Sequence, residues 1–237
     1  MSFREVFQRP HTILPVIHVS SQGQALRNAA LARDAGADGV FLINHSGGWA
    51  DLLAIHDVVS GALPGFWIGV NCLDLPPAGV FERISPRVGG VWSDNAGIRE
   101  DQHEQPEAAA VRAAQRRHAP ECLYFGGVAF KYQRAVADLE AAARVARDWV
   151  DVPTTSGPGT GHAADVEKIR MLKAGLGGAP LAIASGITPE NVGQFLPHAD
   201  VFLVATGISR TFDELDPGRL KSLVDAVREP NARRKRC

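Results

Sequence analysis

Side chains able to do chemistry follow nearly every short apolar run of this 237-residue sequence. They include carboxylates, imidazoles, amides, hydroxyls and a lysine, and the last two runs are each followed by a glycine-containing turn. A structural protein has no need of a reactive group at the end of each run, so the set favours a shared site. Taken singly, each residue also has an ordinary explanation as a cap or turn. The positions are His18 and Ser20; Asn44, His45 and Ser46; Asn71 and Asp74; Asp94 and Asn95; Lys131; Thr155 and Ser156; Ser185 and Gly186; Thr206 and Gly207.

Four of these residues are candidates for catalysis. Asp94 ends the fourth apolar run, where apolar surroundings would raise the pKa of its carboxyl group towards a useful range. His45 is a second candidate acid or base. Lys131 would hold a phosphate or an anionic intermediate, or form a Schiff base if desolvated, and Asn71 would stabilise developing negative charge. The alternatives are a cap or turn role for Asp94, a neighbour-bonding role for His45 and simple exposure for Lys131.

Two glycine turns predict a phosphate site. Ser185 and Gly186 follow the seventh run, and Thr206 and Gly207 follow the eighth, 21 positions later. Backbone N–H groups in such turns, together with a helix that starts at Thr188, would bind an anion. The alternative is that both glycines only permit tight turns.

A third glycine-rich loop follows the sixth run, with the sequence SGPGTGH at 156–162. It would act as a mobile lid or as a further ligand cradle, which makes Gly159 a candidate phosphate-binding residue. No Lys-Ser/Thr pair follows its last glycine, so it is not a P-loop. A flexible surface loop is the alternative.

No cofactor is predicted, although a divalent metal is compatible with the sequence. His45, Asp74 and Asp94 would be its ligands if they converged, but no HxH, HExxH or paired-carboxylate spacing supports the site. Cys72 beside Asn71 would be a nucleophile only if it were activated, and small buried cysteines are much commoner.

The apolar runs predict buried parallel strands, with helices between them. Eight alternations within one domain length favour a closed (β/α)₈ TIM barrel over an open sheet. We assign the barrel to residues 1–229 and a basic, disordered tail to 230–237. The runs are Ile13–Val19, Gly39–Ile43, Phe66–Val70, Val88–Trp92, Cys122–Phe130, Trp149–Thr155, Leu181–Ala184 and Val201–Val204. The helices are Gln24–Ala35, Glu107–His118, Arg134–Arg147, Asp165–Ala174 and Pro217–Val227.

Composition and charge indicate which binding partners and which cellular compartment to expect. A formal net charge of −1 argues against nucleic-acid binding. Neither a signal peptide nor a transmembrane stretch is recognisable, and the three cysteines form no CxxC pair, so we expect a cytoplasmic protein with no membrane insertion. Barrels of this size often form C2 homo-oligomers through their outer helices.

Three segments resemble the BtpA/SgcQ family. Residues 155–208 carry the most specific similarity, in TSGPGTGHAADVEKIRMLKAG, PLAIASGITPENV and HADVFLVATGI. Weaker similarity covers IGVNCL at Ile68–Leu73 and LYFGGVAFK at Leu123–Lys131. The resemblance implies a phosphate-site TIM barrel from a group linked by name to photosystem I biogenesis.

The Ser-Gly and Thr-Gly loops also resemble those of phosphoribosyl isomerases, tryptophan synthase α chains and thiamine phosphate synthases. That likeness implies that Ser185, Gly186, Thr206 and Gly207 bind phosphate. We therefore expect an isomerase, lyase or transferase that acts on a phosphorylated small molecule such as a sugar phosphate or nucleotide-like compound. The alternative is a non-catalytic assembly or regulatory factor that binds a metabolite and a protein partner.

Overall fold

The computed structural model describes residues 2–229, which form a closed parallel barrel of eight strands with helices around it. Each of the eight apolar runs overlaps one strand, with ends that differ by a few residues, so the predicted (β/α)₈ fold is confirmed. The predicted tail at 230–237 lies outside the described residues. The strands are β1 (Thr12–Val19), β2 (Gly39–Asn44), β3 (Trp67–Asn71), β4 (Gly90–Ser93), β5 (Leu123–Gly127), β6 (Val152–Ser156), β7 (Ala182–Ala184) and β8 (Val201–Val204).

The helices pack outside the barrel, and five of the six that the sequence predicts are present, the exception being the helix expected to start at Thr188. The helix predicted at Arg134–Arg147 begins later, at Leu139, because the Asp138 side chain accepts the Ala141 N–H and caps the helix there. Helices at 3–6, 49–62 and 77–81 were not predicted. The helices are α1 (Phe3–Val6), α2 (Gln22–Asp34), α3 (Trp49–Ala62), α4 (Pro77–Phe81), α5 (Pro106–His118), α6 (Leu139–Trp149), α7 (Val166–Leu176) and α8 (Pro217–Arg228). Within residues 2–229, no helix combines the length and apolarity needed to cross a membrane.

Apolar side chains fill the barrel interior. Phe41 meets Phe125 edge to face, with ring centroids 5.1 Å apart, and Leu14 is fully buried beside them. Phe3 and Phe7 close the amino-terminal end, where Phe7 contacts the Trp67 ring. The barrel interior is therefore a packed core and not an open channel.

Three aspartates secure the amino-terminal end of the barrel by one repeated device. Each directly precedes an even-numbered strand and accepts a backbone N–H at or near the start of the preceding odd-numbered strand. The bonds join Asp38 to Ile13 (2.8 Å), Asp151 to Tyr124 (2.8 Å) and Asp200 to Leu181 (3.0 Å). Each carboxylate also pairs with a cation, namely Arg228, Arg112 and Lys173 respectively. The device ties neighbouring strands together at the face opposite the pocket.

We expect Asp151→Ala to lower the free energy of unfolding by about 2–3 kcal/mol. The change leaves the Tyr124 amide without its acceptor and removes the carboxylate partner of the Arg112 guanidinium, which still donates to Gln115 Oε1, in a shielded position. Asp148→Ala is the matched control, because its carboxylate is 72% exposed and its ion pair is 3.9 Å long. Urea unfolding measures both variants. Equal stabilities for the two variants would contradict a structural role for the aspartate device.

Candidate functional site

A cavity of about 270 Å³ lies where the strand ends meet, and both polar and apolar side chains line it. The strand-end rule of parallel barrels accounts for its position. Its polar lining consists of His18, His45, Asp94, Lys131, Thr160, Ser185 and Thr206. Its apolar lining consists of Val16, Ile43, Leu73, Trp92, Leu203, Ala205 and Phe212, and the phenol of Tyr132 completes the wall. The structure thus brings together His45, Asp94, Lys131, Ser185 and Thr206, all predicted as site residues.

Lys131 links the loops that follow β5, β6 and β7. Its Nζ donates to Ser185 Oγ at 3.0 Å and to Thr160 Oγ1 at 3.1 Å. Its own backbone N–H donates to Ser156 Oγ at 2.8 Å. An ammonium group flanked by two hydroxyls forms a compact anion-binding wall.

Backbone strain is concentrated at this wall. Among residues 2–229, the non-glycine residues with positive φ are Ala129 (48°), Tyr132 (61°) and Ser185 (79°). Two of them flank Lys131, and the third supplies one of its hydroxyl partners. Such conformations persist when their surroundings hold them, and they cluster at ligand sites.

Lys168 of α7 holds this strained region from behind. Its Nζ donates to the carbonyls of Ala129 (2.6 Å) and Ser156 (2.7 Å), and burial lowers the pKa of its ammonium group. Because the lysine joins the ends of β5 and β6, it fixes the relative position of the loops that carry Lys131 and Thr160. The sequence analysis did not identify this residue, since a lysine inside a helix carries no local signal.

The glycines of the predicted phosphate loops stand behind the cavity surface. A Cβ on Gly186 would lie 2.3 Å from backbone atoms of His162 and Ala163, and one on Gly207 would lie 1.9 Å from the Ile187 carbonyl oxygen. These glycines therefore allow three loops to pack on one another, while their neighbours Ser185 and Thr206 face the cavity.

Gly159 is not among the residues that line the cavity. A Cβ there would lie 3.3 Å from His162 Nδ1 and 3.6 Å from the Tyr132 hydroxyl. The residue of this loop that lines the cavity is Thr160. The loop does form part of the pocket, but its contribution is a hydroxyl group, which the sequence analysis did not select.

The helix predicted to begin at Thr188 is wrong. Thr188 Oγ1 does accept the N–H groups of Glu190 and Asn191, as a cap would. However, the Asn191 side chain accepts the Thr188 N–H and donates to the Gly186 carbonyl at 2.7 Å. These bonds stabilise a turn, and only a short 3₁₀ segment at Val192–Gln194 follows it.

Asp94 and His45 form the acid–base part of the site. Burial raises the pKa of the Asp94 carboxyl group, against the opposing effects of the Asn71 hydrogen bond and of the Lys131 and His45 charges. Burial lowers the pKa of His45, although Asp94 opposes this shift. The pKa values of the two groups are therefore shifted towards each other, which favours proton exchange between them.

Asn71 acts through Asp94 instead of facing the cavity. It is almost fully buried at the end of β3, and its Nδ2 donates to Asp94 Oδ1 at 3.3 Å. This geometry orients the carboxylate, so Asn71 is a positioning residue. The predicted direct stabilisation of a developing negative charge has no support from its placement.

His18 and Phe212 form an unpredicted pair at the cavity. The imidazole Nδ1 donates to the Phe212 carbonyl at 2.8 Å, and the two rings stack with centroids 4.1 Å apart. The His45 ring meets that of His18 edge-on at 4.8 Å. Phe212 lies in the loop between β8 and α8, beyond every apolar run, and so lacks a periodic signal in the sequence.

The surroundings of Cys72 and Asp74 indicate structural roles for both residues. Burial raises the pKa of the Cys72 thiol to about 12, which keeps it protonated at neutral pH. Asp74 accepts from Asn44 Nδ2 (2.7 Å) and from the Trp49 N–H (3.0 Å) at the start of α3. Across residues 2–229, no cluster of three or more His, Cys, Asp or Glu side chains is arranged to hold a metal ion. The suggested convergence of His45, Asp74 and Asp94 is therefore not found.

Comparison with known proteins identifies the fold and one sequence relative. No protein-family model matches the chain. The chain is 27% identical over 234 residues to a protein of Thermococcus kodakarensis, "Uncharacterized protein TK2179". The alignment covers 86% of this chain and 85% of that protein.

Solved structures of low sequence identity share the barrel. (S)-3-O-geranylgeranylglyceryl phosphate synthase from Thermoplasma acidophilum, in complex with its substrate sn-glycerol-1-phosphate, has a TM-score of 0.68 at 15% identity, covering 97% of this chain and 99% of that chain. Phosphoribosyl anthranilate isomerase from Thermus thermophilus gives 0.62 at 17%, covering 93% and 100%. Mycobacterium tuberculosis tryptophan synthase gives 0.65 at 14%, covering 92% and 91%. At these identities the likeness supports the fold alone.

We expect Asp94→Asn to stabilise the protein at pH 7 and to lose that advantage below about pH 4. The folded-state pKa of Asp94 is raised, so its ionisation destabilises the fold as the pH rises above the unfolded-state value of about 3.9. The amide is nearly isosteric and cannot ionise. Thermal melts at both pH values measure the difference.

Asp74→Asn serves as a control with the opposite sign. Burial would raise the pKa of Asp74, but hydrogen bonds from Asn44 and the Trp49 amide outweigh it and lower the pKa. Its charge therefore stabilises the fold above about pH 4, and the variant should melt below the wild type at pH 7 but not in acid. A destabilised Asp94→Asn protein at pH 7 would contradict the burial argument.

Proposed function

We propose that this chain is an enzyme that binds a phosphorylated small molecule and rearranges or cleaves it by acid–base chemistry of the isomerase or lyase type. One observation carries the proposal: Lys131 Nζ bonds the hydroxyls of Ser185 and Thr160 on two separate strand-end loops. The same cavity contains the Asp94 carboxyl group and the His45 imidazole. An anion-binding wall thus faces a proton-transfer pair within one pocket.

The phosphate would bind at the loops after β6, β7 and β8. Lys131 would supply the positive charge, and the hydroxyls of Thr160, Ser185 and Thr206 would donate to phosphate oxygens. Barrel enzymes commonly bind phosphate in this region, which supports the assignment.

Asp94 and His45 would move protons on the part of the ligand next to the phosphate. The raised pKa favours the protonated carboxyl group, which can donate a proton, and the lowered pKa favours the neutral imidazole, which can accept one. Asn71 would hold the carboxyl group in the orientation needed for transfer. Holding the phosphate in place would align the reacting atoms with this pair.

The fold neighbours add support at the level of substrate class. The Thermoplasma acidophilum synthase binds sn-glycerol-1-phosphate, and the Thermus thermophilus enzyme is a phosphoribosyl anthranilate isomerase. We further propose that this chain is related to the BtpA/SgcQ family, on the segments that resemble it within residues 155–208. A non-catalytic metabolite-binding factor remains the competing function, and turnover separates it from an enzyme.

A thermal-shift series tests the phosphate site. Methyl phosphate, ribose 5-phosphate and glycerol phosphates should raise the melting temperature, since a ligand at 100 times its Kd adds about 2.7 kcal/mol of stability. Lys131→Met and Ser185→Gly should weaken binding at least tenfold, and the glycine also suits the positive φ of position 185. Lys221→Met is the control, because that lysine is exposed on α8. Unchanged binding by the Lys131 and Ser185 variants would refute the assignment.

A turnover assay tests the acid–base pair once a ligand is known. Asp94→Asn and His45→Gln should each lower kcat by about 10²–10⁴-fold, and Asp94→Asn should change Kd little. Asn71→Ala should lower kcat less and shift the pH profile, because it acts through Asp94. Full turnover by both the Asp94 and His45 variants would refute these roles. Tight binding without turnover in the wild type would favour the non-catalytic factor.

A further inference from the structure

The mouth of the cavity carries exposed apolar side chains that the phosphate site does not explain. Leu73, Tyr132 and Phe212 are 46%, 79% and 60% exposed, and all three line the cavity. The only other large apolar side chain in this exposure class within residues 2–229 is Val58, on α3. Apolar groups gathered at one opening indicate a surface that a ligand covers.

Phe212 is exposed although its backbone is held firmly. Its carbonyl accepts from His18, and the carbonyl of the next residue, Asp213, accepts from Asn28 Nδ2 at 2.9 Å. Gln24 donates to the same carbonyl, and Ser20 Oγ donates to the Asp213 carboxylate at 2.9 Å. Gln24 and Asn28 are only 3% and 2% exposed. Buried polar side chains thus fix the loop with the phenyl ring projecting over the cavity, which is preorganisation for a contact.

One wall of the cavity is built from rings, and it includes two imidazoles of the polar lining. Phe212 stacks on His18, and His45 packs edge-on against both of them. The Trp92 indole lies deeper in the cavity wall. Burial lowers the pKa of both His18 and His45, so this wall is uncharged at neutral pH. An uncharged wall of rings fits the face or edge of another ring.

We propose, building on the phosphate site proposed above, that the substrate is an aryl-type phosphate, with a single aromatic ring held by Phe212, His18 and His45 while its phosphate binds at Lys131. The two kinds of wall face one cavity, so a ligand with both groups satisfies each of them. A volume of about 270 Å³ lies just below the usual range for ligand pockets and suits one ring better than a long hydrocarbon chain.

Isothermal titration with three matched probes tests the inference: methyl, cyclohexyl and phenyl phosphate. The wild type should bind phenyl phosphate at least tenfold more tightly than methyl phosphate and more tightly than cyclohexyl phosphate, because a planar ring stacks where a puckered one does not. Phe212→Ser should reduce the phenyl-to-methyl ratio to near one. Phe212→Leu should retain part of the ratio but bind the phenyl and cyclohexyl compounds equally.

Two further variants separate this inference from the phosphate site. Lys131→Met should weaken all three probes alike, while Val58→Ser, which removes an exposed apolar group far from the cavity, should leave every affinity unchanged. Equal affinities of the wild type for phenyl and methyl phosphate would overturn the ring site and leave the phosphate site standing. Equal phenyl and cyclohexyl affinities would overturn its aromatic character. Binding of none of the probes would overturn the phosphate site itself.

Discussion

Closure of the barrel between β1 and β8 is the constraint on which the rest of the molecule depends. The parallel register runs from Thr12 opposite Val201 to Pro15 opposite Val204. Once this seam closes, all eight strands end on the same rim, so residues as distant in sequence as His18 and Ser185 line one cavity. The residues at the two rims of the barrel then have different roles. Asp38, Asp151 and Asp200 stabilise one rim, and the other carries the loops that line the cavity.

The polar wall shows how that freedom is limited. Lys131 reaches two hydroxyls only because Ala129, Tyr132 and Ser185 adopt left-handed backbone conformations. Each such residue costs of order 1–3 kcal/mol, so the surrounding structure must over-determine it. The Lys168 ammonium group provides part of that restraint from inside the protein. Holding an ammonium group and its hydroxyl partners in this fixed arrangement therefore lowers the stability of the fold, as strained backbone commonly does at functional sites.

The sequence predicts the strands well because a strand buried on both faces must be continuously apolar. The strand ends of a parallel barrel share one rim, so polar residues at these ends are expected to lie close together. His45, Asp94, Lys131, Ser185 and Thr206 indeed meet at the cavity. Loop conformation is a different matter, because it depends on contacts between segments far apart in the chain. Nothing local distinguishes Thr160 from Gly159 or indicates that Phe212 reaches His18. In the same way, Thr188 and Pro189 form a convincing helix start, yet the side chain of Asn191 closes a turn instead.

The charges of the site are coupled in a way that links binding to chemistry. Lys131 lowers the pKa of Asp94 and that of His45, so it favours the ionised carboxylate and the neutral imidazole in the free protein. A phosphate bound at Lys131 would cancel much of this field and add negative charge nearby. Both pKa values would then rise, so Asp94 would hold a proton more readily and His45 would become a stronger base. On the proposed function, occupation of the phosphate wall therefore prepares the acid–base pair, and a ligand without a phosphate would find the pair less suited to transfer a proton.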